Sequence, residues 1–282
     1  MKILSRKFIL TTLSVFLLAS LLSFPRLDDL SLAQTPPSYN QEVEEGLQYF
    51  RKLANEQLSL AETLVAAIKS GDLEKAKATY VEARPPYEQI EVFAGSFEQE
   101  DSDIDARPYA FDDGEESPDF KGFHRIEGFL YRDGNLKAAI PYSEELVASI
   151  RSLINKLNDP SNFSAASNFE GMIAVATEVP AKKISSEEET WSDQSLLIFK
   201  NNWEGIYSQY KPFASLLNQN IATRVDAGYQ ACMNAIAPFF KSNQVAATPY
   251  SSLTNQDRRK IVEASYQFRD ALLEARAALN LS

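Results

Sequence analysis

The spacing of its apolar residues constrains the fold of this chain more than any other feature. They recur three and four positions apart along most of the sequence, and the clearest run extends from Val43 to Ile68 and stops before Gly71. That period places apolar side chains on one face of an α-helix, whereas a half-buried strand needs strict alternation. No alternating run is long enough for a sheet, and glycine is scarce, at 10 of 282 residues. We therefore predict an all-α fold.

The residues between the periodic segments divide the chain into about eight helices with mostly short connections. Asp72 is placed to cap the second helix, which Pro85-Pro86 should kink or restart. Such a number of helices predicts two stacked four-helix-bundle-like halves in one compact unit. Later helices are predicted at about 142–157, 164–179, 187–209, 212–240 and 255–280, with capping signals at Ser185-x-x-Glu188 and Thr254-x-x-Asp257.

Residues 96–117 are acidic and lack periodicity, so we expect a loop or an irregular crossing there. Ser117 and Pro118 follow as an N-cap and a first-turn proline, which together predict the start of the helix that carries His124.

The first 33 residues have the layout of a secretory signal peptide. Three basic residues are followed by an apolar run over 8–24, and small residues precede a cleavage point after Ala33. An uncleaved anchor is the alternative, because this apolar run is long for a signal peptide. We expect residues 34–282 to form one helical domain outside the cytoplasm, since no later stretch approaches the roughly 20 apolar residues that a membrane span needs.

The strong negative charge limits the partners of the chain. Removal of residues 1–33 would change the formal net charge from −11 to −13, because this segment has four basic and two acidic side chains. A surface that acidic repels phosphate backbones, which argues against nucleic acid, and it suits a cation. Acidity alone also serves the solubility of an exported protein. Cys232 is the only cysteine, so no intramolecular disulfide can form.

The only histidine, His124, stands three residues before Glu127 in the sequence G-F-H-R-I-E. Side chains at positions i and i+3 of a helix share a face, so the imidazole and the carboxylate can converge on one metal ion. A hydrogen-bonded helix histidine beside a solvated glutamate would have the same spacing. The spacing alone therefore does not distinguish a metal site from such a structural pair.

Several other carboxylates are candidate ligands. Glu88 and Glu91 form a second i, i+3 pair, for which a solvated acidic face is the alternative. Glu178 ends an apolar helix, and its carboxylate could instead lie at the solvent boundary. Asp103 and Asp105 lie in the acidic segment, and Arg107 could orient one of them. One nitrogen ligand with several oxygen ligands and no thiolate suits iron, zinc or manganese better than copper(I) or an iron–sulfur cluster. Helix bundles build such sites from inward-facing Glu and His.

The chain lacks the sequence motifs of several enzyme classes. The chain has no H-E-x-x-H, and a single histidine excludes a catalytic zinc held by two or three histidines. It also has no nucleophile elbow, P-loop or dinucleotide fingerprint.

Three segments in order make the chain similar to the imelysin-type family of EfeO-like periplasmic iron-uptake proteins. They are A-R-P-P-Y-E-Q-I-E at 83–91, I-D-A-R at 104–107 and G-F-H-R-I-E at 122–127. A weaker similarity follows between Glu178 and Glu188, and the resemblance covers roughly residues 40–280.

The resemblance implies an all-α domain with a metal site around the HxxE motif of His124 and Glu127. It also implies Glu88, Glu91, Asp105 and Glu178 as further ligands. The implied cargo is iron, as Fe³⁺ or Fe²⁺, with zinc or copper(II) as alternatives. The implied role is that of a periplasmic binding protein, not an enzyme, which delivers its ion to an inner-membrane iron permease and has a periplasmic peroxidase as a further partner.

The chain departs from this family in two places. We expect it to lack the cupredoxin-like N-terminal domain that many relatives carry. Trp191-Ser192-Asp193-Gln194 stands where relatives read roughly Y-S-H-T-D, so a histidine has no role there. Two other functions stay open: a single-histidine metallopeptidase with Glu127 as its base, and a helical interaction protein whose His–Glu pair is structural.

Overall fold

A computed structural model describes residues 38–186 and 188–281 of the chain. Within these ranges the regular structure is helical, and the only extended pairing is an isolated antiparallel bridge between Phe240 and Ala247. The prediction of an all-α fold is therefore confirmed. The predicted signal peptide, residues 1–33, lies outside the described residues. No helix in the described ranges is long and apolar enough to cross a membrane.

The helices follow one another through short connections, several of which are 3₁₀ or π turns. Their bounds are α1 Asn40–Lys69, α2 Leu73–Ala83, α3 Pro85–Ile90, α4 Glu98–Asp105, α5 Phe123–Glu127, α6 Leu136–Leu157, α7 Ala165–Glu178, α8 Ile184–Ser186, α9 Ser195–Tyr210, α10 Gln219–Ile236 and α11 Asn255–Ala278.

The long helices pack in two groups that share one hydrophobic core. In the first group, α1 packs against α2, α3 and α6. In the second group, α7 contacts α9 and α11, and α10 contacts the same two helices, so the four close a ring. Because α1 and α3 both contact α9, buried side chains of the two groups form one continuous cluster. This arrangement matches the predicted pair of helical halves.

The apolar face of α1 and one glycine of α9 bring α3 into place. Leu47, Phe50 and Leu64 of α1 are fully buried, and each contributes about 1.5–3 kcal/mol through the hydrophobic effect. A Cβ atom at Gly205 of α9 would lie 2.3 Å from the carbonyl oxygen of Gln89 in α3. Only glycine therefore allows α9 to approach α3 this closely.

Local sequence signals at three helix starts are confirmed. The Asp72 side chain accepts a hydrogen bond from the Lys75 backbone N–H at 3.0 Å and caps α2. Pro85 begins the new helix α3. Thr254 and Asp257 form the predicted capping box of α11.

The prediction of an irregular crossing over 96–117 is wrong for its first part, because residues 98–105 form α4. Only Ile104, Asp105 and Glu100 are buried there, so the short helix has too few apolar residues to produce a periodic pattern. The start of α5 at Ser117-Pro118 is also wrong. The chain turns at Ser117, and α5 begins at Phe123 after Gly122, whose φ of 81° interrupts a helix.

The predicted capping signal at Ser185 and Glu188 is wrong as well. Residues 188–194 form turns and an irregular stretch, and the next long helix, α9, begins only at Ser195. The Glu188 carboxylate is buried and pairs with Lys183 at 3.0 Å rather than capping a helix. Two other helices begin at positions different from those predicted, because a capping asparagine sets each start. Asn135 caps α6 earlier than predicted, and Asn218 caps α10 later.

Candidate functional site

Five of the six candidate metal ligands lie in one buried cluster where α3, α4 and α5 meet. Glu88 and Glu127 are fully buried, His124 is 2% exposed and Asp105 4% exposed. Glu91, directly after α3, is 8% exposed. Segments that are far apart in the sequence thus bring their titratable groups together away from solvent.

Glu178 is not part of this cluster. Its side chain is 37% exposed and lies 3.6 Å from the ammonium of Lys182, one turn further along the chain. The structure therefore places this carboxylate at the solvent boundary, which is the alternative that its position at the end of an apolar helix left open.

The close approach of α5 to α4 depends on Gly122. A Cβ atom at this position would lie 2.3 Å from the carbonyl oxygen of Ile104, and the backbone φ is +81°. Both observations require glycine. The first turn of α5 therefore starts directly against the last turn of α4, and His124 Nε2 lies 3.5 Å from Asp105 Oδ1.

Two π turns border the cluster. One covers Gly128–Arg132 and follows Glu127 directly; the other covers Val179–Lys183 and ends on Lys183. Such turns widen a helix locally and frequently occur at functional sites. Here one ends the helix that carries the His–Glu pair, and the other turns a lysine inward.

Arg84 is the central cation of the cluster. Its guanidinium is 1% exposed and lies 2.5 Å from Glu88, 2.6 Å from Asp105 and 2.7 Å from Glu189. It also stacks over the ring of Phe123, 4.6 Å from the centroid. Three carboxylates from three separate segments thus converge on one guanidinium, whose fork of donors suits such contacts.

Lys183 and Arg107 hold the other side of the cluster. The Lys183 ammonium lies 2.8 Å from Glu91 and 3.0 Å from Glu188. Arg107 pairs with Glu188 and lies 3.6 Å from Asp105. Of the two acids that Arg107 was predicted to orient, Asp105 is the one near it, whereas Asp103 pairs with Lys121.

Neutral donors complete the network. The Asn202 side-chain amide donates to Glu91 at 2.8 Å and to Glu88 at 3.2 Å. Glu189 accepts hydrogen bonds from the hydroxyls of Tyr80 at 3.0 Å and Ser192 at 2.6 Å. Buried carboxylates are stable only with partners of this kind.

The His–Glu pair is held from both sides. Glu127 Oε2 lies 3.4 Å from His124 Nδ1. The other carboxylate oxygen, Oε1, accepts hydrogen bonds from the backbone N–H groups of Trp191 at 2.9 Å and Ser192 at 2.7 Å. The segment 188–192, which carries no histidine, therefore supports the motif through its backbone.

Burial and neighbouring charges act in opposite directions on these groups. Burial alone raises the pKa of the Asp105 carboxyl, but Arg84, His124 and Arg107 together hold that pKa well below its usual value. Burial raises the pKa of Glu88 to about 8, since Arg84 offsets only part of the desolvation. Burial has the largest effect on the pKa of His124 and lowers it, but Asp105 and Glu127 together raise it, and the net pKa is above the ordinary value.

The donor atoms fit a cation, although the carboxylates do not form a ready-made cage. In the described ranges, no three His, Cys, Asp or Glu side chains have the arrangement of a metal site. The acidic groups are instead paired with basic side chains. Two atoms of the candidate ligands lack a close hydrogen-bond partner: His124 Nε2 lies 3.5 Å from Asp105 Oδ1, and Asp105 Oδ2 lies 3.6 Å from Arg107. One imidazole nitrogen with carboxylate oxygens is a donor set for iron, zinc or manganese.

The sequence analysis missed two of the three cations, Arg84 and Lys183, and two of the acids, Glu188 and Glu189. Arg84 stands inside the matched segment at 83–91, four residues before Glu88, and this spacing was the available signal. Lys183, Glu188 and Glu189 lie in or after the π turn, where no helical period marks the inward face. Their roles follow only from contacts with α2, α3 and the end of α4.

Comparisons with known proteins agree with this architecture. The family model described as imelysin matches residues 43–279. The "Iron uptake system component EfeO" of Escherichia coli (strain K12) is 32% identical over 218 residues, which are 76% of this chain and 57% of that protein. The proteins of the same name in Shigella boydii serotype 4 and Escherichia coli O157:H7 are 32% and 31% identical over the same shares. The match thus spans 57% of the length of these relatives.

Proposed function

The chain belongs to the imelysin family, and from this premise we propose that it is a periplasmic iron-binding protein of an uptake system. In this role it holds iron in the buried cluster and delivers it to an inner-membrane iron permease. The relatives named iron uptake system component support a role in iron uptake, since they match more than three quarters of the chain.

The observation that carries the proposal is the environment of His124 and Asp105. The only imidazole of the chain directs Nε2 towards a carboxylate oxygen 3.5 Å away, and both side chains are almost fully buried. The surrounding carboxylates Glu91 and Glu127 add negative charge beside Asp105, which a bound cation would compensate.

The donor chemistry points to iron. Carboxylate oxygens are hard ligands and imidazole is intermediate, a combination that suits Fe³⁺ or Fe²⁺, with zinc or copper(II) as competing ions. Arg84 and Lys183 hold the acidic groups by ion pairs that a metal ion replaces on binding. Such replaceable pairs fit a protein that must also release its cargo.

A binding role fits this geometry better than peptide hydrolysis. A metallopeptidase would need Glu127 as a free base near the metal-bound water. Here one oxygen of Glu127 accepts two backbone N–H bonds and the other faces His124. The carboxylate is therefore engaged on both sides, and a single histidine is available for any metal.

Metal titration of the purified protein tests the proposal. We expect stoichiometric binding of iron, with the affinities for Fe³⁺, Fe²⁺, Zn²⁺, Cu²⁺ and Mn²⁺ identifying the preferred ion. His124→Ala and Asp105→Asn should each weaken binding at least about ten-fold, because each removes a donor. The matched control is Glu274→Gln, which changes an exposed carboxylate paired with Arg224. Binding that both cluster substitutions leave at the control value would refute the site.

A further inference from the structure

The geometry of Glu127 separates its role from that of His124. Its carboxylate is fully buried, and both oxygens face a partner. Oε1 accepts the N–H groups of Trp191 and Ser192, at 2.9 and 2.7 Å, and Oε2 faces His124 Nδ1. To ligate a metal, this carboxylate would have to give up the hydrogen bonds that anchor it.

The two ring nitrogens of His124 meet different acceptors. Nδ1 lies 3.4 Å from Glu127 Oε2, and Nε2 lies 3.5 Å from Asp105 Oδ1. Asp105 is already engaged by Arg84 at 2.6 Å, so it is the weaker acceptor for a histidine proton. A proton on Nδ1 is therefore favoured in the neutral ring, and the lone pair stays on Nε2.

We propose that Glu127 is a positioning residue that holds the proton on Nδ1 and so presents Nε2 of His124 to the metal, rather than a ligand itself. This inference rests on the proposed function. The i, i+3 spacing then joins a ligand to the group that orients it, and Asp105 rather than Glu127 is the nearest carboxylate on the metal-binding side. Carboxylates that orient a ligating histidine in this way contribute about ten- to 100-fold to metal affinity.

The substitution Glu127→Gln gives a distinctive test, because an amide has one acceptor and one donor end. The N–H groups of Trp191 and Ser192 need the amide oxygen, which turns the NH₂ group towards Nδ1. Nδ1 must then accept a hydrogen bond, so the ring proton moves to Nε2 and blocks the metal-binding nitrogen. A carboxylate-to-amide exchange beside a catalytic histidine acts through the same change of tautomer.

The single histidine makes the tautomer measurable without assignment. Two-bond ¹H–¹⁵N correlations of the ¹⁵N-labelled protein contain one pair of imidazole nitrogens. They would be recorded at alkaline pH without metal, where the ring is neutral, and again with Zn²⁺ as a diamagnetic probe. The variants are Glu127→Gln and Glu127→Ala, with Glu274→Gln as the matched control and circular dichroism as the check of folding.

We expect the parent and the control to have the proton on Nδ1 in both states, with Zn²⁺ on Nε2. Glu127→Gln should move the proton to Nε2 and lower Zn²⁺ affinity at least about ten-fold. Glu127→Ala should mix the tautomers but still bind Zn²⁺ through Nε2. If Glu127→Gln does not fold, the parent and Glu127→Ala spectra decide the question.

Zn²⁺ on Nδ1, a parent ring protonated on Nε2 without metal, or an unchanged tautomer in folded Glu127→Gln would each overturn the inference. Failure of the proposed function looks different. In that case His124→Ala binds metal as the parent does, while the metal-free tautomer still reports whether Glu127 positions the ring.

Discussion

At the scale of single residues, the site is defined by basic side chains as much as by acidic ones. Arg84, Lys183 and Arg107 sit among carboxylates that would repel one another without them. Burying a charge is costly unless it is paired, so each cation stabilises the arrangement in which the acids stand close together. Only the pair of Arg84 with Glu88 has a helical spacing; the contacts of Arg84 with Asp105 and Glu189, and of Lys183 with Glu91, join positions more than twenty residues apart, so sequence spacing could not predict them.

Loss of Arg84 should destabilise the protein strongly. Arg84→Met keeps part of the apolar stem but leaves Glu88, Asp105 and Glu189 without their shared partner. We expect the free energy of unfolding to fall by about 3–5 kcal/mol, as for other broken buried pairs. The control is Arg224→Met, which breaks the exposed pair with Glu274 and should change the free energy of unfolding by about 1 kcal/mol or less. Urea denaturation of both variants measures the difference, and equal small losses would contradict the central role of Arg84.

Asp101 gives the protein a pH-dependent stability near neutrality. Burial, with help from the charge of Glu91, raises the pKa of Asp101 to about 7, although the Tyr87 hydroxyl opposes the shift by donating a 2.5 Å hydrogen bond. The ordinary value is 3.8. Because the folded state binds this proton more tightly, its contribution to stability is full below about pH 4 and is lost as the pH rises through about 7.

The substitution Asp101→Asn removes that titration while keeping an oxygen that can accept from Tyr87. Between pH 5 and pH 8 the parent should lose about 2–3 kcal/mol of stability relative to this variant. Unfolding free energies of both proteins at a series of pH values check this. Parallel curves, or a parent that gains stability relative to the variant as pH rises, would show that the Asp101 pKa is not raised.

At the scale of elements, the position of α5 against α4 decides whether the site forms. The caps at Asp72 and Thr254 were predictable because donor and acceptor lie three residues apart in the sequence. The start of α5 was not, because it depends on a backbone contact between Gly122 and Ile104, and nothing in the local sequence reveals such a contact. The motif His-x-x-Glu was found by its spacing, whereas its orientation is set by the backbone of 191–192.

Two glycines allow this element contact to be tested with an internal control. Gly122 and Gly71 both have a positive φ, 81° and 79°, but an added Cβ would meet the Ile104 carbonyl at Gly122 and nothing within 4 Å at Gly71. Gly71→Ala should therefore cost only the backbone strain, about 1 kcal/mol.

Gly122→Ala should cost clearly more, because the clash adds to the strain, and it should also weaken iron binding by displacing His124 from Asp105. Thermal unfolding and metal titration of both variants measure the two effects. If the two alanines have equal cost and equal affinity, α5 is not positioned by this contact.

At the scale of the whole molecule, the cluster joins the two helical groups. Glu88 belongs to α3, beside α1 in the first group, and the amide that holds it, Asn202, belongs to α9 in the second. The all-α class and the two groups were predictable from periodicity, because amphipathic helices must bury their apolar faces. Which acids would meet between the groups depended on their packing, and five of the six predicted candidates met there.

Because residues of both groups hold the carboxylates of the site, iron should stabilise the whole domain. At a free iron concentration about 100-fold above the dissociation constant, the expected gain in unfolding free energy is about 3 kcal/mol. Calorimetry should show one transition that moves upward as a unit with metal. His124→Ala should abolish the shift, and an iron-induced shift that survives in this variant would place the metal elsewhere.

The location of the metal tests the central claim most directly. Crystals of the iron-loaded protein, with anomalous diffraction data collected at the iron edge, would show it without assumptions about affinity. We predict one strong peak in the buried cluster, about 2 Å from His124 Nε2 and from a carboxylate oxygen of Asp105. A peak only among the exposed acids of residues 112–119, or at Glu178, would contradict the account.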